Sequence, residues 1–196
     1  MRLKQEFLER ISDEAIGHRL VDAWFSSVAT PLGRLLVVAT PKGLCRIAFD
    51  SESEDRVLEQ VAAGLGPRIV ASEKGTEAAR AELQAYLEGD LSSFETPVDL
   101  SLVRTPFGRR VLRAAQRIPR GRVATYTTVA SRARNPRAVR ATGSALGRNP
   151  VPIVVPCHRV VPSAGGLGNY AGGVHIKEFL LRLEGASEAD RGGCTT

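Results

Sequence analysis

Near the start of the chain apolar residues recur about every four positions, at Leu3, Phe7, Ile11, Ala15 and Leu20, with charged residues between them. That spacing predicts an amphipathic helix over residues 1–23. The period then shortens. Residues 24–30, 34–40 and 43–49 are rich in Val, Ile, Leu and Phe and are split by Pro31–Gly33 and Pro41–Gly43, the pattern of a three-stranded meander. Ser51 with Glu54 has the form of a capping box and opens a helical run to about residue 63. A short strand over 68–71, a helix over 76–87 ending at Gly89, and a connector over 90–104 complete a small α+β unit.

The second half has a different rhythm. A helix over 106–117 stops at Ile118-Pro119, because a residue before proline avoids the helical region. Residues 121–125 read as a turn or short extended piece, and 127–133 as a short helix with a Thr N-cap. Asn135-Pro136 predicts the start of a further helix, Asn as cap and Pro at the first position, running to about Leu146. Two short helices joined by a tight turn are the pattern of a helix-turn-helix. An apolar, proline-studded segment (150–162) and a glycine-rich loop (165–173) follow. A last helix over 174–183 has Ile176, Phe179, Leu180 and Leu183 as its expected core face, and residues 187–196 read as a flexible tail.

Composition is ordinary for a globular chain of 196 residues, 43% hydrophobic and 24% charged, which excludes disordered, collagen-like and small disulfide-stapled classes. No apolar run reaches the length of a membrane span, and the charged N-terminus lacks the apolar core of a secretory signal. The net charge of +6 changes the picture only when it is divided. Residues 1–103 carry 11 Lys and Arg against 17 Asp and Glu; residues 104–196 carry 16 against 4, and between Arg104 and Arg159 there are 13 arginines and no acid. A basic half joined to an acidic half points to a polyanionic partner, with nucleic acid the leading candidate and generic surface arginine the bland alternative. The basic half is expected to face DNA and the acidic half to face away. The three cysteines, Cys45, Cys157 and Cys194, form no C-x-x-C pair, and with His18, His158 and His175 they give no zinc spacing; no metal or cofactor is expected, and a reducing compartment fits best.

The chemistry concentrates in residues 149–161, NPVPIVVPCHRVV. Val151–Val155 reads as a buried strand broken by Pro156, and the polar Cys157-His158-Arg159 then stands where a core should continue. Positive neighbours favour the reactive thiolate. On an extended chain adjacent side chains diverge, so a water or a local turn is expected to relay a proton from Cys157 to His158. A histidine base needs an acidic orienter. Glu184 stands at a helix C-terminus, where the dipole disfavours negative charge, so His158 is its natural partner. On the second helix of the pair, Arg137, Arg140 and Ser144 share a face, while Ala141, Gly143 and Ala145 are small enough for close backbone approach to a DNA groove.

Pro156-Cys157-His158-Arg159-Val160 resembles the active-site signature of the O6-alkylguanine-DNA alkyltransferases, the methylated-DNA–protein-cysteine methyltransferases. The likeness runs from residues 29–39 and 42–49 through Thr105-Pro106-Phe107, residues 117–121, Tyr126, residues 135–141 and 147–150. It ends with residues 168–173 and 180–185.

The resemblance implies a ribonuclease-H-like domain (24–97) and a mainly helical DNA-binding and catalytic domain (98–186). It implies a single irreversible transfer of an alkyl group from O6 of guanine to Cys157, with O4-alkylthymine as a second candidate substrate. Carried over residue by residue, His158 deprotonates Cys157 through a water, oriented by Glu184. Asn149 orders the active-site segment, and Tyr126 assists departure of guanine. Arg140 fills the gap left by the flipped nucleotide, which must leave the stack because its alkylated oxygen lies inside the duplex. Arg137, Ser144, Arg148 and Thr127 are the remaining expected DNA contacts, with the helix in the minor groove. Val160, Tyr170, Ala171, Pro152 and Arg159 are expected to line the base pocket. The expected partner is double-stranded DNA holding O6-alkylguanine, bound by a monomer in the cytoplasm, on the nucleoid if the source is bacterial, with cooperative binding left open. Gly108 and Leu112 depart from the Gln and Trp common in the family. The competing readings are a non-catalytic binder of alkylated DNA, a helix-turn-helix regulator and a cysteine hydrolase.

Overall fold

The computed structural model describes residues 21–186. Residues 1–20 of the predicted N-terminal helix, with His18, and the predicted tail, with Cys194, lie outside the described residues; Ala23, the last residue assigned to that helix, already belongs to the first strand. Contacts divide the chain into two compact units. The first runs to Gln84 and takes back residues 95–102; the second holds residues 85–94 and everything from Val103 onward. The chain therefore crosses between these units three times, at 84/85, 94/95 and 102/103.

The first unit is built on β1 (Ala23–Thr30), β2 (Gly33–Thr40) and β3 (Gly43–Phe49), an antiparallel meander, with β4 (Ile69–Ala71) added parallel to β1. The sheet order is β3-β2-β1-β4. Both hairpins use related turn chemistry: the Thr30 hydroxyl donates to Gly33 O and accepts from Leu32 N, while the Thr40 hydroxyl accepts from Lys42 N and donates to the Asp99 carboxylate at 2.7 Å, with Gly43 O farther off at 3.3 Å. Gly43 is required twice over. Its φ is +129, and a Cβ there would lie 2.1 Å from Pro97 O, against which the chain runs in hydrogen-bond contact. One sheet face (Ala23, Leu36, Val38, Cys45, Ala48) packs on Val57 and Val61 of α1 (Glu54–Leu65). The alternate residues Leu35, Val37 and Ile47 are also fully buried, so β2 loses the alternation of a half-exposed strand. Helix α2 (Glu77–Glu88) follows a 3-10 turn at Lys74–Thr76.

The capping box does not form. Ser53, not Ser51, is the N-cap of α1 and makes no side-chain bond, while Glu52 is drawn off to Arg46 and to the Phe49 amide.

In the second unit α3 (Pro106–Gln116), α4 (Tyr126–Arg132) and α5 (Val139–Gly147) pack on one another. Thr105 caps α3, accepting from Gly108 N at 3.1 Å. A side chain at 108 would meet Thr105 Oγ1 and Val103 Cγ1, so the glycine that departs from the family pattern suits a tight start to the helix. Leu112 is buried at the core. Thr125 caps α4. Asn135-Pro136 does not start α5: Arg134 turns left-handed (φ +61), Asn135 N closes onto Ala130 O, and Ala138 N onto Asn135 O. That sequence of bonds ends α4 and delays α5 by three residues, with Ala138 at its N-cap. Arg137 accordingly stands on the connecting turn and not on the helix with Arg140 and Ser144. The last helix, α6 (Val174–Leu183), buries Ile176, Lys177, Leu180 and Leu181; Phe179 and Leu183 are only half-buried.

Residues 151–155 are not a strand. Pro150, Pro152 and Pro156 each remove a donor that a ladder would need, and the segment folds into tight turns with Ile153 at φ +74. Strand pairing is left to two short pieces, β5 (Ala124–Thr125) and β6 (Val160–Val161), which run parallel.

Candidate active site

Cys157, His158 and Arg159 form one turn of 3-10 helix, entered through a reverse turn at Pro156 (φ −80, ψ 64). The extended chain expected there is absent, because Cys157 N donates to Val155 O and Arg159 N to Pro156 O. All three side chains are buried. The β5–β6 pairing sets the register of the site: β5 runs directly into Tyr126, and β6 follows directly from the Cys157 turn.

Cys157 opens onto a cavity of about 570 Å³. Tyr126 forms one wall, Gly143, Leu146 and Gly147 of α5 another, and Pro162 with the loop Gly168–Ala171 closes the rest. Of the residues expected to line a base pocket, Tyr170 and Ala171 line this cavity. Pro152, Val160 and Arg159 do not: Pro152 is buried in the 151–155 turns, Val160 O accepts from Lys177, and Arg159 turns away to Glu184.

Behind the thiol lies a polar cluster. Glu184 Oε1 bonds His158 Nε2 at 2.5 Å, and Arg159 clasps both carboxylate oxygens, Nε to Oε2 at 2.8 Å and Nη2 to Oε1 at 3.2 Å. The Tyr86 hydroxyl also donates to Oε1. Burial alone would raise the Glu184 carboxyl, but His158 and Arg159 outweigh it and hold it at about 2. The paradox of an acid at a helix C-terminus is thus resolved by donors from His158, Arg159 and Tyr86, with Gly121 N at 3.5 Å from Oε2. Burial pulls His158 below its ordinary value despite Glu184, so the ring is neutral near pH 7. With Nε2 engaged, Nδ1 is buried without a hydrogen-bond partner among the described residues.

The thiol is held by Asn149, whose Nδ2 lies 3.1 Å from Sγ. Burial raises the Cys157 pKa, opposed by Asn149, by the nearby Lys177 and by backbone amides. Of the positive neighbours, Lys177 favours the thiolate as expected, but Arg159 is engaged by Glu184, and burial, the largest effect, keeps the thiol raised. The resting pair is neutral thiol and neutral imidazole. Tyr126, raised by burial and then by Cys157, stays protonated as a donor facing the cavity.

Two participants were not foreseen. Lys177 is fully buried, with Nζ on Val160 O at 2.6 Å, and burial lowers it to about 8. Its sequence signal was there: Lys177, Leu181 and Glu184 fall on one helical stripe, so two charges interrupt the apolar face. Tyr86 had no such signal. By contrast Cys45, raised by burial to about 12, is an inert core thiol. The expected DNA contacts Thr127, Arg137, Arg140, Ser144 and Arg148 are all exposed on α4, the turn and α5.

Residues 106–186 match the model of the 6-O-methylguanine DNA methyltransferase DNA binding domain, and residues 24–100 that of the ribonuclease-like domain of the same family. The methylated-DNA–protein-cysteine methyltransferase of Methanosarcina acetivorans is 36% identical over 163 residues, covering 83% of this chain and 99% of that protein. The constitutive enzyme of that name from Bacillus subtilis is 34% identical over 172 residues, covering 86% and 99%. Among solved structures, Mycobacterium tuberculosis OGT in complex with DNA superposes with a TM-score of 0.71 at 30% identity, covering 83% of this chain and 92% of that one. With both domain models matched in order along the chain, the protein belongs to the 6-O-methylguanine DNA methyltransferase family.

Proposed function

We propose that this protein repairs O6-alkylated guanine in DNA by direct reversal, moving the alkyl group once and irreversibly onto Cys157. The observation that carries this reading is the opening of a buried, hydrogen-bonded thiol onto a base-sized cavity, with a neutral His158 hydrogen-bonded to the ionised Glu184 behind it. Sγ attacks the alkyl carbon in line; the S–C bond forms as the C–O6 bond breaks, and guanine leaves with the electron pair. The thiol proton passes through a bridging water to His158 Nδ1, and Glu184 stabilises the imidazolium that results. Tyr126 donates a hydrogen bond to the departing base. The thioether has no route back to thiol, so each molecule acts once.

The exposed arginines of the helix-turn-helix supply the phosphate contacts. Arg140 on α5 occupies the gap from which the base has been flipped. No helix among the described residues is long and apolar enough to cross a membrane, and the reading places the protein in the cytoplasm, on the chromosome it repairs. The test is direct. Incubation with a duplex holding one O6-methylguanine should add the mass of one CH2 to the tryptic peptide containing Cys157. Transfer to Cys45 or Cys194, or none at all, refutes the assignment.

A further inference from the structure

Tyr86 lies in the last turn of α2, 98 residues from Glu184 in sequence, yet its fully buried hydroxyl meets Glu184 Oε1. We propose that Tyr86 is a positioning residue for the proton transfer from Cys157 to His158, holding Glu184 Oε1 and sharing its charge so that His158 waits neutral and oriented. This rests on the alkyl-transfer reading above.

A buried tyrosine needs some partner for its hydroxyl, and any carbonyl would serve. This one bonds the very oxygen that carries His158. Arg159 already satisfies the carboxylate bidentately, so ion pairing does not require Tyr86. Its hydroxyl adds a third donor to Oε1 and itself accepts from Arg159 Nη2 at 3.2 Å. The ring is fixed from two sides, by Phe94 with centroids 4.7 Å apart and by the Arg120 guanidinium 5.2 Å from its centroid. Arg120 is in turn tied to Leu91 O and Leu183 O. Residues 85–94 thus complete the proton-handling cluster although they precede the matched DNA-binding domain.

The charges acting on His158 are Glu184 and Lys177 from α6 and Arg159 from its own turn. Tyr170, edge-on with centroids 6.3 Å apart, and Cys157 are neutral neighbours, and Tyr86 acts through Glu184. Every donor on Oε1 weakens its pull on the His158 ring. Removing one strengthens that pull and favours the imidazolium, which cannot accept the thiol proton.

The experiment is the single-turnover transfer rate from O6-methylguanine duplex between pH 5 and 9, for the full-length protein and Tyr86→Phe. The acidic limb should move upward by about half a unit, about threefold in proton affinity. A limb that stays in place or moves down overturns the proposal. Phe94→Leu loosens the same packing but keeps the hydroxyl; it should lower Tm and leave the limb where it was, and an equal shift in both variants also overturns the proposal. The 15N shifts of the His158 ring follow the same titration without DNA. If they move in Tyr86→Phe while even the unaltered protein fails to take up methyl, the functional reading is wrong and the role of Tyr86 stands.

Discussion

Asn149 ties the nucleophile to the turn that presents it: its Nδ2 bonds Cys157 Sγ at 3.1 Å and Val155 O at 2.8 Å, while its Oδ1 accepts from Val151 N at 3.0 Å. One amide therefore braces a segment that its own backbone already turns, with Val155 N donating to Val151 O at 2.9 Å and Cys157 N to Val155 O at 2.8 Å. Asn149→Ala leaves Val151 N without its partner, at about 1–3 kcal/mol, while Val155 O keeps the Cys157 amide. A urea titration should show a loss of that order. Asn149→Asp instead puts negative charge against the sulfur. It should move the basic arm of the transfer-rate profile to higher pH, and an unmoved arm would show that Asn149 only braces the turn.

Lys177 sets stability against activity. Its pKa falls from 10.5 to about 8 on burial, so the folded state binds fewer protons than the unfolded one between those values. The penalty is therefore fully present below about pH 8, and stability recovers as pH rises toward 10.5. At neutral pH it amounts to about 3 kcal/mol. Lys177→Met should remove most of this, less about 1 kcal/mol for Val160 O left unpaired. The variant should be more stable by urea melting yet slower in transfer, because the thiolate forming on Cys157 loses a nearby cation. A variant both more stable and equally fast would exclude Lys177 from the chemistry.

Glu184 works in the opposite sense. Its carboxyl drops from 4.5 to about 2, so it contributes stability that is full above pH 4.5 and is lost as pH falls toward 2. Glu184→Gln should flatten that part of the stability profile. It should also cost about 3–5 kcal/mol at pH 7, since Arg159 remains buried without its counter-charge. Chemical denaturation at pH 2, 3, 4.5 and 7 separates the two effects.

The hairpins were legible because Thr-Pro-x-Gly turns punctuate the meander twice, and the Cys-His-Arg signal because polar residues interrupt a buried run. What escaped was decided by competition or by distance. Glu54 matched a capping box, but Glu52 and Arg46 redirected the local hydrogen bonds. Asn135-Pro136 matched a helix start, but the C-cap of α4 used Asn135 first. The run 151–155 has strand composition, yet its prolines deny it a ladder. Arg159 reads as a surface or pocket cation until Glu184 claims it. Tyr86 depends on a contact across 98 residues that no local pattern announces.

Arg140 offers the sharpest separation of binding from chemistry. It is exposed on α5, four residues before the equally exposed Ser144 and far in role from the buried cluster. If its side chain stands in for the flipped nucleotide, its energy appears only when a base must leave a stack, at a cost of a few kcal/mol. Arg140→Ala should then slow transfer from duplex by about tenfold or more while the reaction with free O6-methylguanine base keeps its rate. If Arg140 were merely a phosphate contact, its loss would instead lower the slope of log affinity against log salt by about 0.9, as is expected for Arg148→Ala. Measuring both quantities on both variants therefore assigns the two arginines to different tasks; equal loss on duplex and free base would remove the flipping role from Arg140.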